Sequence, residues 1–437
     1  MSASSGVAPQ FVVPPAARVP VSDHLKRMQP IPPSRMFLVK QGLRAFRERH
    51  PDRPTYDASQ GDGGASLPGV PRAILERAAA LQIQRGTGYT LPSGTTEFRR
   101  ALAETYWALA PDIGWGPDNI VATVGGRDGL VKAYQAALAL GHGRMGDVVV
   151  TSAVPWISYN WGPYGVGANV VRAAGHPDQA WAYTRAGLDE TFAFVARHER
   201  QVAMLIITSP DNPTGRVMPL EQQIELGRWA LEHGAAFVLY DWIYHYVTDH
   251  GPSDINALLR GFDADQRERV MVLDGATKAL GASNIRIGWL TAGAAVTRFI
   301  TARASHSVIP SYYAQAVVQA ALEYGYTQAA RPIVEPTAQS RAWLRDFLTR
   351  QRMRFVLDQG YYAFINVQPW LEARGWADTE PLGQYLAEEH GLAIVPGVFF
   401  SPAGAHWIRF SYALPPERTQ AAAQRLVEAL AALQANA

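Results

Sequence analysis

Between about residue 70 and residue 310, short apolar runs of strand length alternate with amphipathic stretches of helical period. That alternation constrains the fold more than any other feature of the chain. Parallel strands need crossover connections, and the crossover helices cover both faces of the sheet they serve. Residues 120–124, 148–151, 204–208, 237–240, 270–274 and 287–292 are expected strands. Residues 97–107, 129–140, 220–233 and a long stretch from about 313 are expected helices. Farther along, residues 361–367 and 407–412 read as strands and 382–390 and 416–433 as helices. The expected fold is α/β, with a large domain of mainly parallel sheet flanked by helices and a smaller α+β domain. The expected division is an N-terminal arm at 1–26, a first part of the small domain at 27–65, the large domain at 66–311, and the rest of the small domain at 312–437.

Composition narrows the partners. Hydrophobic residues make up 48% and charged residues 18% of the 437 residues, the balance of a folded chain. A formal charge of +2 without a long basic run argues against nucleic acid or an anionic membrane surface as the main partner. No stretch has the apolar length of a membrane span, and the first twenty residues lack the charged start and apolar core of a signal peptide. With no cysteine, disulfides, thiolate metal sites and cysteine nucleophiles are excluded together. No metal site is assigned, and a soluble protein of the reducing cytoplasm is expected.

Polar residues cluster just beyond the apolar runs. Gly125, Gly126 and Arg127 follow the run at 120–124, Asn212 follows 204–208, and Asp241 follows 237–240. Open parallel sheets bind ligands beyond the carboxyl ends of their strands. The segments that carry these residues occur in a fixed order: residues 89–99 (Tyr-Thr-Leu-Pro-Ser-Gly-Thr-Thr-Glu-Phe-Arg), Gly125-Gly126-Arg127, Pro155-Trp156, residues 209–215 (Ser-Pro-Asp-Asn-Pro-Thr-Gly), Asp241 with Tyr244, Lys278 with Arg286, and residues 408–413 (Ile-Arg-Phe-Ser-Tyr-Ala). Singly, each has a plainer reading: a solvated lysine, a turn aspartate, a turn built on Asn-Pro, a core tryptophan. As an ordered set, they resemble the class I/II aminotransferases, fold type I pyridoxal phosphate-dependent enzymes, over roughly residues 27 to 430.

The resemblance implies pyridoxal 5'-phosphate as cofactor and an amino acid and a 2-oxo acid as substrates. Lys278 is implied to capture the cofactor aldehyde and to shuttle the proton, and Asp241 to keep the pyridine nitrogen protonated. Tyr244 and Asn212 are implied to donate to the phenolate oxygen, and Trp156 to cover the ring. Gly126, Arg127, Thr277 and Arg286 are implied to hold the phosphate together with Tyr89 of a neighbouring subunit, so a homodimer with shared sites is expected. Arg409, with the backbone of Gly61 and with Asn212, is implied to take the substrate carboxylate.

The chain also departs from that family. Gly275 stands where a serine is common, and Gly61 is followed by Asp62-Gly63-Gly64 in place of an acidic residue, a proline and an aspartate. Residues 305–310 (Ser-His-Ser-Val-Ile-Pro) lack the arginine that dicarboxylate-specific members place near there. One reading places His306 against a polar substrate; the plainer one is a helix-end or solvent-exposed histidine. These departures keep a lyase, cyclase or oxidase of specialised biosynthesis, built on the same fold and cofactor, as the alternative. A catalytically silent regulator is the third reading, disfavoured because Lys278, Asp241 and Arg286 are all present and the segment before the fold is too short for a helix-turn-helix module.

Overall fold

Seven of the strands in the main sheet are buried from end to end, as expected where helices pack on both faces. In this computed structural model, residues 6–13, 31–33 and 35–435 are described. The sheet has eight strands in the spatial order Gln10–Phe11, Asn169–Arg172, Val148–Thr151, Val202–Thr208, Phe237–Asp241, Val270–Gly275, Gly288–Ala292 and Ile120–Thr123. The five strands from Asn169–Arg172 to Val270–Gly275 run parallel to one another. Gly288–Ala292 lies antiparallel to both its neighbours, and Gln10–Phe11 is antiparallel at the other edge. All six expected strands of the large domain are present within a residue or two at each end. Asn169–Arg172 is a further strand of the sheet that the sequence does not signal. Only Val170 and Val171 of its four residues are apolar, between Asn169 and Arg172, so it shows no apolar run of strand length.

The arm expected at 1–26 lies partly outside the described residues. Within it, Val7 bridges to Gly175 and Gln10–Phe11 pairs with Arg172 and Val171, so this part of the chain closes the edge of the sheet.

Three of the expected helices differ in the structure. Gly125–Leu140 begins four residues early because Gly125, at φ +76, turns the chain directly from strand into helix, and Asp128 accepts the Val124 amide at 2.8 Å. The helix expected at 97–107 is α-helical only over Thr96–Ala101; Leu102–Tyr106 is π-helical, with the Trp107 amide bonded back to the Leu102 carbonyl. The long helix from about 313 is two, Tyr312–Tyr324 and Tyr326–Arg350, broken at Gly325 with φ +94. Ala314, Val317 and Ala321 of the first join the same apolar core as the sheet strands, so the stretch just past residue 311 packs with the large domain.

The small domain has its own core. Strands Phe355–Val356, Tyr362–Asn366, Trp407–Ser411 and Val395–Pro396 form an antiparallel sheet packed against the helix Pro416–Ala435 by Leu426, Leu430 and Leu433. In that sheet Tyr362 pairs with Ser411 and Phe364 with Arg409. Tyr56–Asp57 joins this unit by pairing with Leu392–Ala393. No helix among the described residues is long and apolar enough to cross a membrane.

Candidate active site

The carboxyl ends of the parallel strands face the small-domain sheet across a cavity of about 500 Å³. That volume lies in the range of small-molecule sites. Its walls include Gly61, Gly126, Arg127, Trp156, Asn212, Asp241, Tyr244, Thr277, Lys278, Arg286 and Arg409. Of the residues singled out in the sequence, Tyr89 and His306 do not line it: Tyr89 lies on the loop after helix Arg72–Arg85 and is 99% exposed, and His306 is exposed beyond helix Ala294–Ala304.

Asp241 ends the strand Phe237–Asp241 and is buried. Its Oδ2 accepts from the Tyr159 hydroxyl at 2.5 Å and its Oδ1 from the Ile243 amide at 3.1 Å. Burial outweighs these donors and pushes its pKa up to about 6, with the nearby Asp274 charge adding to the rise. No cation pairs with it among the described residues, so it is a desolvated acid in need of one.

Lys278 sits on the short turn Ala276–Ala279 after the strand Val270–Gly275. Its Nζ donates to the Gly61 carbonyl and lies 5.5 Å from the Tyr244 ring centre and 5.8 Å from that of Tyr361. The Tyr361 hydroxyl donates to the Lys278 carbonyl at 2.6 Å and fixes the turn. Desolvation by the cavity walls holds the Lys278 pKa below the ordinary lysine value. A lysine of lowered pKa releases its proton more readily, as a nucleophile or base must.

At the other end, a helix N-terminus and a guanidinium converge. Gly126 and Arg127 belong to the first turn of Gly125–Leu140, whose amides have no intrahelical acceptor. Arg286 donates to the Val124 and Ser283 carbonyls at 3.0 Å each. Its backbone is left-handed, with φ +61, a conformation that costs a non-glycine residue roughly 1–2 kcal/mol. A Cβ on Gly125 would come within 2.6 Å of Arg286 Nη2, so the two residues need each other's geometry. The Thr277 Oγ1 beside them is buried and has no partner. Basic side chain, free amides and an unused hydroxyl together form an anion cradle.

Arg409 enters from the small-domain strand Trp407–Ser411 and is buried. It donates to Asn212 Oδ1 at 2.9 Å and to the Ser59 carbonyl at 2.7 Å, stacks 4.2 Å over the Tyr362 ring, and has its Nε buried without a partner. Asn212 thus spends its oxygen on Arg409, which leaves its amide as a donor. The Tyr244 hydroxyl shares a hydrogen bond of 2.9 Å with that of Tyr362. Arg127 lies 5.4 Å over the Trp156 ring.

The aminotransferase class I and II family model matches residues 57–426. The chain belongs to the class I and II aminotransferases. The aspartate/prephenate aminotransferase of Thermus thermophilus is 27% identical over 418 residues, covering 93% of this chain and 98% of that protein. The aspartate aminotransferase of Streptomyces avermitilis is 28% identical, covering 85% of each. Among solved structures, a double mutant of Thermus thermophilus aspartate aminotransferase superposes with TM-score 0.77 at 25% identity over 92% of this chain and 98% of that one. An aminotransferase from Mycobacterium tuberculosis shares the fold with TM-score 0.78 at 22% identity, over 95% and 100%.

The cavity of this aminotransferase also holds residues the sequence did not single out. Tyr362 contacts both Tyr244 and Arg409, and only the strand pairing of Tyr362 with Ser411 brings it there. A Cβ on Gly61 would fall on the Tyr362 hydroxyl, so the glycine is required by close approach. Tyr159 is the direct donor to Asp241. Asp62 accepts from Ser283 at 2.7 Å across the cavity. The family's serine would not fit at Gly275 without a shift, since a Cβ there lies 2.9 Å from the Ile287 carbonyl.

Proposed function

We propose that this aminotransferase is a cytoplasmic homodimer that uses pyridoxal 5'-phosphate to move an amino group between an amino acid and a 2-oxo acid. One observation carries the reading: a desolvated carboxylate, a lysine of lowered pKa, an anion cradle and a second, partly unpaired arginine all line one cavity. The residues fit the cofactor on their own chemistry. The unpartnered Thr277 hydroxyl, the first-turn amides and Arg286 suit a phosphate; Asp241, without a cation of its own, suits a protonated ring nitrogen; Trp156 offers a flat apolar face.

When bound, the cofactor supplies an aldehyde that takes up the substrate amine and a protonated ring that draws electrons from the substrate α-carbon. Asp241 keeps the proton on the ring nitrogen, and the Tyr159 hydroxyl holds Asp241 in place. Lys278 Nζ removes the α-proton and redelivers it, a role its lowered pKa favours. Arg409 receives the substrate carboxylate and fixes which α-carbon bond faces Lys278; Asn212 holds that guanidinium and turns its own amide toward the ring oxygen, as does the Tyr244 hydroxyl. Gly61 brings its backbone to the same carboxylate. Tyr89 reaches a neighbouring subunit's phosphate, which agrees with its complete exposure here. A catalytically active monomer in sedimentation runs would contradict that sharing.

Borohydride treatment tests the cofactor reading. The chain has only four lysines, Lys26, Lys40, Lys132 and Lys278, so peptide mapping after reduction of the loaded protein is unambiguous. Label on the Lys278 peptide is the expected result, and label confined to another lysine overturns it. Arg409→Lys, which keeps the charge and loses the fork, is expected to raise KM for the amino acid roughly 10- to 100-fold with a smaller effect on kcat. An unchanged KM removes Arg409 from carboxylate binding.

A further inference from the structure

Asp274 lies next to the cavity but faces the other way. Leu273 lines the cavity, and successive residues of a strand point to opposite faces, so Asp274 points into the apolar core beside Val270 and Val272. It is 1% exposed. The Tyr106 hydroxyl donates to its Oδ2 at 2.5 Å, His245 Nε2 lies 2.9 Å from the same oxygen and 3.0 Å from the Tyr106 hydroxyl, and the Gly275 amide donates to Oδ1 at 2.7 Å. The Ser253 amide donates to His245 Nδ1 at 3.2 Å, so that nitrogen carries no proton and the neutral ring presents Nε2–H to Asp274. Asp274 therefore accepts from three donors, none of them cationic, and among the described residues it is a buried carboxylate without a counter-ion.

The other titratable groups packed around it are Tyr246 from the turn after Phe237–Asp241, Tyr326 from the head of helix Tyr326–Arg350, and Asp241. Burial first, and the Asp274 charge second, hold the Tyr106 and Tyr326 phenols well above their ordinary range, so both remain protonated. A buried, unpaired carboxylate is costly, and a core of apolar residues would be more stable without it. Its partners are placed at the site. Gly275 opens the turn that carries Thr277 and Lys278, and His245 directly follows Tyr244. Tyr106 ends the π-helical turn Leu102–Tyr106, a geometry that is rare and concentrates at functional positions.

We propose that Asp274, clamped by Tyr106 and His245, is a positioning residue that locks the Lys278 turn to the Tyr244 turn and sets a second fixed negative charge behind Asp241. The inference rests on the cofactor reading above. A fixed negative charge favours the protonated form of the lysine-bound chromophore and helps Asp241 keep the proton on the ring nitrogen.

The test is a pH titration of the visible absorbance of the loaded enzyme. Asp274→Asn is expected to lower the apparent pKa of that band by several tenths of a unit to about one unit, the effect of removing one nearby charge. An unchanged pKa overturns the charge role. Tyr106→Phe keeps the carboxylate and removes one donor, so it serves even where Asp274→Asn does not fold. It is expected to speed amide hydrogen exchange at residues 243–246 and 275–278 together, roughly 10-fold, in loaded and cofactor-free protein alike. Faster exchange confined to residues 102–109 overturns the clamp. Because exchange is also read without cofactor, a protein that binds none would refute the cofactor reading and leave the clamp to be judged by itself.

Discussion

Lys278→Ala is expected to lower turnover by roughly 10⁴-fold while the variant still binds the cofactor. In the proposed reaction Lys278 serves as both the nucleophile for the cofactor aldehyde and the base at the substrate α-carbon, and each role alone is worth about two to four orders of magnitude. Cofactor binding survives because the anion cradle does not include the lysine: Arg286, Thr277 and the first-turn amides of Gly126 and Arg127 all remain. Single-turnover rates with and without added small primary amines check this. Restored proton transfer by an exogenous amine supports the base role, and a turnover within 10-fold of the native enzyme removes Lys278 from the chemistry.

Asp241→Asn has the second largest expected effect and separates chemistry from stability. In the loaded enzyme, loss of the carboxylate is expected to slow α-proton removal by roughly 10³-fold, the scale of a preorganised charge in a desolvated site. In the cofactor-free protein the sign reverses. Burial raises the folded-state pKa of Asp241 to about 6 from an ordinary value of 3.8. Between those pH values the folded chain holds a proton that the unfolded chain has released, so stability falls as pH rises through that window and is level above it. An asparagine never ionises. The variant is expected to lose that slope and to gain up to about 3 kcal/mol above pH 6, the free energy of a two-unit shift, less what the Ile243 amide loses by giving up a charged acceptor. Urea unfolding of both cofactor-free proteins across pH 4 to 8 measures it. Identical slopes would show that Asp241 is not a desolvated acid.

The place of these two residues at one cavity is legible in the sequence because their signals are local. Asp241 terminates an apolar run of strand length, and Lys278 keeps a fixed spacing to Arg286 inside one short segment. The large-domain strands were legible for a related reason: burial on both faces leaves an uninterrupted apolar run such as Val-Ala-Met-Leu-Ile-Ile-Thr over Val202–Thr208. What was missed depends on pairing between distant segments. Tyr362 reaches Arg409 only through the antiparallel register of the small-domain sheet, and Tyr159 reaches Asp241 across 82 residues of chain. The π-helical turn at Leu102–Tyr106 has the same origin. Residues 97–107 carry a good helical pattern, and the wider turn is selected by the bonds that Tyr106 makes to Asp274 and His245. The break at Gly325 left a single glycine as its trace, which helical periodicity on either side conceals.

The reaction itself is the central claim, and one measurement addresses it: the loaded enzyme mixed, without a second substrate, with each member of a panel of amino acids while the cofactor spectrum and the released products are followed together. Transamination predicts that one or more amino acids convert the cofactor stoichiometrically to its amine form, with one equivalent of the matching 2-oxo acid, and that adding a 2-oxo acid restores the original spectrum. Ammonia release, oxygen uptake or a ring-closed product, with the cofactor returned unchanged in each cycle, would contradict it.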